Sequence, residues 1–263
     1  MAMPPLRVRA GLVVAGLVLA GAFAAAPPAL ADPDALWRIA HDQCVPTVAA
    51  GALPPPCVAV DLAPDPDRSV AIVKDRVGVA QMLAIPTRRI EGVEDPQLLA
   101  RDAPPLFVDA WKAKKDLEAR LGGKELPREA VALAINSAFR RSQNQAHVHV
   151  DCVRPDVAAA LATAKAGLDD QWRPMPAALA GRAYLARRLL SEDLGDSEPL
   201  LGLVAAGVPG ARSHMDAMTL AVVGAAFDGK PGFILLANSG SPDGGGHAED
   251  LQDHDCAIAR SAP

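Results

Sequence analysis

The stretch at residues 145–152, which reads Gln-Ala-His-Val-His-Val-Asp-Cys, constrains the fold more than any other part of the chain. Polar and apolar residues alternate in it, which is the period of a half-buried β-strand. One face of that strand carries four polar side chains: Gln145, His147, His149 and Asp151. The other face carries four side chains suited to a core: Ala146, Val148, Val150 and Cys152. We therefore expect a strand of a packed sheet with two imidazoles and a carboxylate on one surface.

Three interpretations of this surface follow from the residues alone. A neutral imidazole is a nucleophile near pH 7. Two histidines one strand repeat apart, with Asp151 as a third ligand, also suit zinc. Two partly exposed histidines on an ordinary strand are the third interpretation, and a bare His-x-His motif does not separate the three.

The longer stretch at 136–151 resembles the histidine-triad nucleotide hydrolases and transferases. Their motif is Asn-x-Gly-x-x-Ala-Gly-Gln-x-x-x-His-x-His-x-(His or Gln). Laid on this chain without a gap, the motif matches four residues: Asn136, Gln143, His147 and His149. The resemblance implies that His149 is the nucleophile. Three positions depart from the motif: Ala138 and Ser142 replace glycines, and Asp151 replaces the last His or Gln.

A more specific resemblance extends over most of the chain after residue 35. Six segments, in the same order, are similar to bacterial CDP-diacylglycerol pyrophosphatases: 133–137 (Leu-Ala-Ile-Asn-Ser), 143–149, 152–157, 184–188, 214–215 and 252–256. This resemblance implies hydrolysis of CDP-diacylglycerol, or a related nucleotide-diphosphate substrate, to CMP and phosphatidate. It also implies contact with a membrane lipid surface.

The two resemblances together imply a role for each candidate residue. His149 attacks the nucleotide-side phosphorus, and His147 and Asp151 position and polarise it. Ser142 and Gln143 hold phosphate oxygens, and Asn136 binds the ribose or orders the turn.

Two further candidates lie outside the motif. Arg88 follows a strand that ends in Pro86, as a basic residue does in histidine-triad proteins, and His214 is a second candidate for contact with phosphate. A solvated basic pair at Arg88 and Arg89, and a surface histidine at 214, are equally compatible with the sequence. No carboxylate cluster suited to magnesium lies beside the motif, so neither a metal nor another cofactor is predicted.

Residues 1–31 have the pattern of an export signal. Arg7 and Arg9 precede an uncharged apolar run at 11–26, and Ala29-Leu30-Ala31 forms a cleavage site. The segment is predicted to be either a cleaved signal peptide or an N-terminal membrane anchor. Either way the body at 32–263 is exported, because the positive residues stay in the cytoplasm. For the bacterial family that the chain resembles, this means the periplasm or the outer side of the inner membrane.

Four cysteines fit an oxidising compartment and allow three pairings. We favour Cys44–Cys57, which brackets a Pro-rich loop. We also favour Cys152–Cys256, which would tie the C-terminal helix to the back of the histidine strand, since Cys152 points opposite to His149 and Asp151. A free or catalytic cysteine is the alternative.

The net negative charge of the chain bears on whether it binds nucleic acid. Without Arg7 and Arg9 the chain has 24 basic and 31 acidic residues, a net charge of −7. That balance, with no basic-aromatic stripe, argues against nucleic-acid binding. Aromatic residues make up 3% of the chain, so Ala, Leu and Val must build its core.

Periodicity predicts an α+β fold: a histidine-triad-like antiparallel sheet with helices on one face and at the edges. Predicted hairpins join 69–74 to 79–85 and 219–227 to 232–237. A strand ending at 133–136 runs antiparallel to 146–153. Predicted helices cover 34–44, 104–121, 156–167, 177–191 and 248–260.

Two other functions remain open. The chain could be an exported metal- or nucleotide-binding protein without turnover, or a transferase that passes the nucleotidyl group to an alcohol. The sequence does not predict an oligomeric state.

Overall fold

A computed structural model describes residues 32–62, 65 and 68–261. Within them, ten strands form one antiparallel sheet. The strands are β1 Cys57–Asp61, β2 Val70–Lys74, β3 Met82–Pro86, β4 Val131–Ile135, β5 Val148–Val153, β6 Arg173–Pro174, β7 Leu185–Leu190, β8 Met218–Phe227, β9 Lys230–Ser239 and β10 Gln252–Asp253. Their order is β1-β2-β3-β5-β4-β8-β9-β7-β6, and β10 pairs with β5. The rear hairpin β8–β9, which the sequence predicted, therefore extends the same sheet.

Helices connect the strands. The α-helices are α1 Ala35–Trp37, α2 Val45–Ala49, α3 Leu106–Lys112, α4 Lys114–Arg120, α5 Pro155–Ala164, α6 Leu200–Gly207 and α7 Ala257–Ser261. A π-helical segment, Arg38–Cys44, joins α1 to α2. The helix predicted at 104–121 is present as α3 and α4, which meet at Ala113.

The central strands are buried on both faces. In β4, Val131, Leu133 and Ile135 pack into one core with α3, α4 and α6. Ala132 and Ala134 pack into a second core with α5 on the opposite face. Helices therefore cover both faces of the sheet, and the prediction of helices on one face was wrong. Double burial also explains why β4 and β8 are continuous apolar runs instead of alternating ones.

The histidine strand lies near the middle of the sheet. β5 pairs with β3 on one side and β4 on the other, where His149 lies opposite Ala134 and Asp151 opposite Ala132. The predicted apolar face is confirmed, because all four of its side chains join the first core: Ala146, Val148, Val150 and Cys152. The polar face is enclosed as well, since Gln145, His147, His149 and Asp151 are all buried.

Two predicted helices were wrong. Residues 185–190 form β7, which pairs along β9, because pairing with the long hairpin outweighs the helix propensity of this Ala- and Leu-rich segment. Residues 248–260 form a 3₁₀ turn at Ala248–Leu251, then β10, and only then the short α7. Pairing of Gln252 and Asp253 with β5 interrupts the helix, and this brings residues 249–254 beside the histidine strand.

Both predicted disulfides are confirmed: Cys44–Cys57, with a sequence separation of 13, and Cys152–Cys256, with a separation of 104. Disulfides persist in oxidising compartments, so they indicate an extracytoplasmic protein. The export segment predicted at 1–31 lies outside the described residues. Among the residues that the structure describes, no helix has the length and apolar character needed to cross a membrane.

Loop length predicts unequal contributions from the two bridges. In the chain-entropy account, a closed loop of about 100 residues contributes about 4.7 kcal/mol and one of about 15 residues about 3 kcal/mol. Replacing Cys152 and Cys256 together by alanine should therefore lower the free energy of unfolding by more than the same change at Cys44 and Cys57. Urea unfolding of both double variants measures this. Equal losses would contradict the loop-length account for this protein.

Candidate active site

His147 and His149 lie side by side at the start of β5. They are 8% and 6% exposed, and their ring centroids are 4.8 Å apart at an angle of 64°. The pair is therefore almost fully enclosed, which differs from the half-exposed surface that alternation alone predicted.

A backbone carbonyl fixes the tautomer of His147. Its Nδ1 lies 2.8 Å from the carbonyl oxygen of Gln145, which can only accept, so Nδ1 carries the proton and Nε2 the lone pair. Burial lowers the pKa of His147, which favours this neutral form. The Gln145 amide holds the segment in place by donating to the carbonyls of Pro86 and Arg88, at 2.9 Å each.

His149 is held neutral and has a nitrogen without a partner. Burial, together with the nearby His147, lowers the pKa of His149 to about 3. Its Nδ1 lies 3.2 Å from Oε1 of Glu249, although the two are not aligned for a hydrogen bond. Its Nε2 is enclosed and has no hydrogen-bond partner among the described residues. With the proton on Nδ1, the nitrogen that faces the Glu249 carboxylate, Nε2 has a lone pair that the fold itself does not use.

Glu249 is the centre of the site. Besides His149, its carboxylate is approached by four side-chain nitrogens: Gln81 Nε2 at 3.4 Å, Asn136 Nδ2 at 3.1 Å, His247 Nε2 at 3.4 Å and His254 Nε2 at 3.6 Å. Burial alone would raise the pKa of Glu249. The hydrogen bonds from His247 and Asn136 and the nearby imidazoles outweigh burial and lower it to about 2. The side chain is thus a carboxylate at neutral pH, next to a neutral His149.

Asp151 is connected to His149 only indirectly. It is fully buried, and its Oδ2 lies 2.9 Å from Nδ1 of His254. Burial raises the pKa of Asp151, and the hydrogen bond with Asp151 raises the pKa of His254. Because His254 Nε2 faces Glu249, the sequence of contacts is Asp151, His254, Glu249, His149. The carboxylate next to His149 is therefore Glu249, not the predicted Asp151.

The predicted phosphate-binding turn is only partly beside the histidines. Asn136, 5% exposed, accepts from the backbone N–H of Glu249 at 3.3 Å and donates to its carboxylate. Gln143 instead accepts from the N–H of Leu36 at 3.1 Å and donates to the carbonyl of Asp32 at 3.0 Å. Ser142 is exposed. The structure thus links Asn136 to the site and gives the Gln143 amide partners at the start of the folded body.

Arg88 and Arg89 have different surroundings. Arg89 is paired with Asp34 and lies over the ring of Trp37, 5.6 Å from its centroid. Arg88 is half-buried, and its Nε is enclosed without a hydrogen-bond partner in the part of the chain that the structure describes. Arg88 is therefore the member of the pair with a donor free for an anion.

Arg88→Ala is expected to raise KM or lower kcat for a phosphate-containing substrate at least several-fold, because charge-assisted hydrogen bonds contribute about 1.5–3 kcal/mol. Steady-state kinetics with Arg89→Ala as the matched control measures the effect. Kinetics unchanged in Arg88→Ala would exclude contact with phosphate.

The metal-binding alternative gains little from the geometry. Among the described residues, the group of three ligand atoms close enough for a metal ion is that of Asp151, Cys152 and Cys256. Both sulfurs of this group are in the disulfide, and Asp151 is bonded to His254. His214, the other predicted contact, is exposed and lines a pocket bordered by Phe139 and Tyr184.

Sequence reasoning missed Glu249, His247 and His254 as members of the site. The sequence contained one usable signal, the segment Gln-Asp-His-x-Cys at 252–256, which shares its cysteine with the bridge to Cys152. Because a helix was predicted at 248–260, the pairing of this segment with the histidine strand was not recognised.

Fold and site together define a class: a disulfide-bonded α+β protein in which a carboxylate lies beside one of two adjacent, buried and neutral histidines. The chain belongs to the CDP-diacylglycerol pyrophosphatase family, whose family model matches residues 31–260. It is 38% identical over 232 residues to the CDP-diacylglycerol pyrophosphatase of Yersinia pestis. The matched region covers 88% of this chain and 86% of the Yersinia protein.

Proposed function

We propose that this protein hydrolyses the pyrophosphate bond of CDP-diacylglycerol to CMP and phosphatidate, as an enzyme of phospholipid metabolism. Membership of the family supports the substrate. One observation supports the chemistry: Nε2 of a neutral, buried His149 lacks a partner while a carboxylate faces Nδ1 of the same ring. A carboxylate behind an imidazole orients the ring and stabilises positive charge on it.

The proposed reaction has two steps. Nε2 of His149 forms a bond to the nucleotide-side phosphorus, and the bond from that phosphorus to the bridging oxygen breaks, so phosphatidate leaves. Water then attacks the same phosphorus, the phosphorus–nitrogen bond breaks, and CMP leaves with the oxygen of water. Covalent catalysis of this kind divides one difficult displacement into two easier ones.

Each neighbouring residue has a role in this proposal. Glu249 compensates the positive charge of the nucleotidyl-imidazole, and Asp151 acts through His254 to hold Glu249 in place. His147 supports the ring of His149, and Asn136 fixes Glu249. Ser142, Gln143 and Arg88 contact phosphate oxygens in a histidine-triad-like arrangement, for which Gln143 must exchange its present partners for the substrate.

Release of CMP from CDP-diacylglycerol by the purified body, with and without a chelator, tests the function. Activity that survives chelation supports the covalent-histidine reaction. An inactive protein that carries zinc would instead support the binding-protein alternative. Products formed in the presence of an alcohol distinguish hydrolysis from transfer, since the same intermediate serves both.

We also propose that the body works in the periplasm, or on the outer side of the inner membrane if residues 1–31 are retained as an anchor. Two disulfides support an oxidising compartment. Mass spectrometry of the N-terminus of the protein isolated from cells separates cleavage at Ala31 from an anchored form.

A further inference from the structure

A cavity lies where β7 and β8 begin and β9 ends, beside the segment at 208–218. Its volume is ≈ 600 Å³, which is within the range of about 300–1,000 Å³ found for small-molecule sites. Apolar and aromatic side chains supply most of its lining, among them Phe139, Ala183, Tyr184, Leu185 and Met218. Among the described residues, none of those given a role in the proposed two-step reaction lines it, although His214, the second candidate for contact with phosphate, does.

The cavity shares a wall with the histidine centre. Ala138, beside Phe139, donates its N–H to the carbonyl of Asp216 at 2.8 Å, and Ser137 donates to the carbonyl of Gly246 at 2.9 Å. Gly246 in turn donates to Oδ1 of Asn238, a lining residue, at 2.9 Å. Since Phe139 is three residues from Asn136, their Cα atoms are at most about 11 Å apart.

The charges of the lining exclude the diphosphate from the cavity. Its ionisable side chains within the described residues are Asp216, His214 and Tyr184, so neither lysine nor arginine is available to bind phosphate. Burial raises the pKa of Tyr184, which therefore stays neutral. The half of the substrate that is uncharged and apolar fits such a lining better than the half that carries the phosphates.

We propose that this cavity binds the first acyl carbons of the lipid half of the substrate. The inference rests on the proposed function, because it assumes a diphosphate held at His149 with its lipid side turned toward Phe139. In this proposal the lipid preference of the enzyme is determined by the start of β7, the end of β9 and the 208–218 segment. The reaction itself takes place at β5 and Glu249.

An obstruction at Ala183 tests the proposal. Ala183 is exposed and lines the cavity, so Ala183→Trp fills the space without disturbing the core. Ala177 is exposed and is not part of the lining, so Ala177→Trp is the matched control. Dioleoyl CDP-diacylglycerol is compared with CDP-glycerol, which has the same nucleotide and diphosphate but no acyl chains.

We expect Ala183→Trp to lower kcat/KM for the dioleoyl substrate roughly tenfold, the effect of losing about 1.4 kcal/mol of binding. Its kcat/KM for CDP-glycerol should stay close to that of Ala177→Trp. Equal losses on both substrates would mean that the cavity holds the nucleoside, and no loss on either would mean that it holds neither half. Both results overturn the proposal.

A binding measurement separates this proposal from the proposed function. At a concentration that saturates the roughly tenfold weaker site of Ala183→Trp, phosphatidate with brominated acyl chains should quench the fluorescence of Ala183→Trp more than that of Ala177→Trp, and this requires no turnover. Such quenching in a protein that releases no CMP would retain the lipid cavity and reject the hydrolase. Equal quenching of the two variants in an active enzyme would reject the lipid cavity and retain the hydrolase.

Discussion

His149→Ala is expected to reduce CMP release about 1,000-fold or more, because it removes the nitrogen that forms the covalent intermediate. Since the pKa of His149 is lowered to about 3, its nitrogen stays unprotonated at pH 5–8, and His149 itself should impose no acid limb there. The measurement is kcat as a function of pH for wild type, His149→Ala and His147→Ala.

The matched control is His41→Ala, the same change at an exposed position on the first helical segment. His147→Ala should cost less than His149→Ala, because His147 supports the ring and does not bond to phosphorus. The reverse order would assign the nucleophile to His147, whose tautomer is already fixed by the carbonyl of Gln145.

Glu249→Gln is expected to lower kcat roughly 100-fold or more while KM changes little. The two side chains have the same shape, so the loss reports the negative charge that compensates a nucleotidyl-imidazole 3.2 Å away. Glu125→Gln, the same exchange at an exposed site, is the control. Melting temperatures of both variants show whether the fold is kept.

A purely structural Glu249 would give a different pattern. Gln81, Asn136, His247 and His254 all face this carboxylate, so a structural role predicts lower stability and a higher KM along with any loss of kcat. A folded Glu249→Gln protein with wild-type kcat would reject the proposed charge compensation.

The sequence predicted the parts of the site that depend on local pattern. Alternation at 145–152 predicted β5 and its core face, and the even number of cysteines with their spacing led to both bridges. The front and rear hairpins followed from their turn residues; Asp228 and Gly229 have the positive φ values, 50° and 77°, that a two-residue hairpin turn needs.

The rest depended on contacts between distant parts of the chain. Residues 185–190 form a strand only because β9 offers them an edge, and Gln252 and Asp253 leave a helical segment only because β5 does. No local pattern encodes these pairings. The role of Glu249 was missed for the same reason, since it needs Asn136, His149 and His254 to meet from three separate segments.

The Cys152–Cys256 bridge makes the completeness of the site depend on the redox conditions of the compartment in which the chain is located. One half of the centre lies on the strand that contains Cys152 and consists of His149 and Asp151. The other half lies just before Cys256 and consists of Glu249 and His254. The two cysteines have a sequence separation of 104. In a reducing cytoplasm the bridge does not persist, and the two halves are joined by weaker contacts alone. A chain that has not yet been oxidised thus lacks the covalent link between the two halves of its centre.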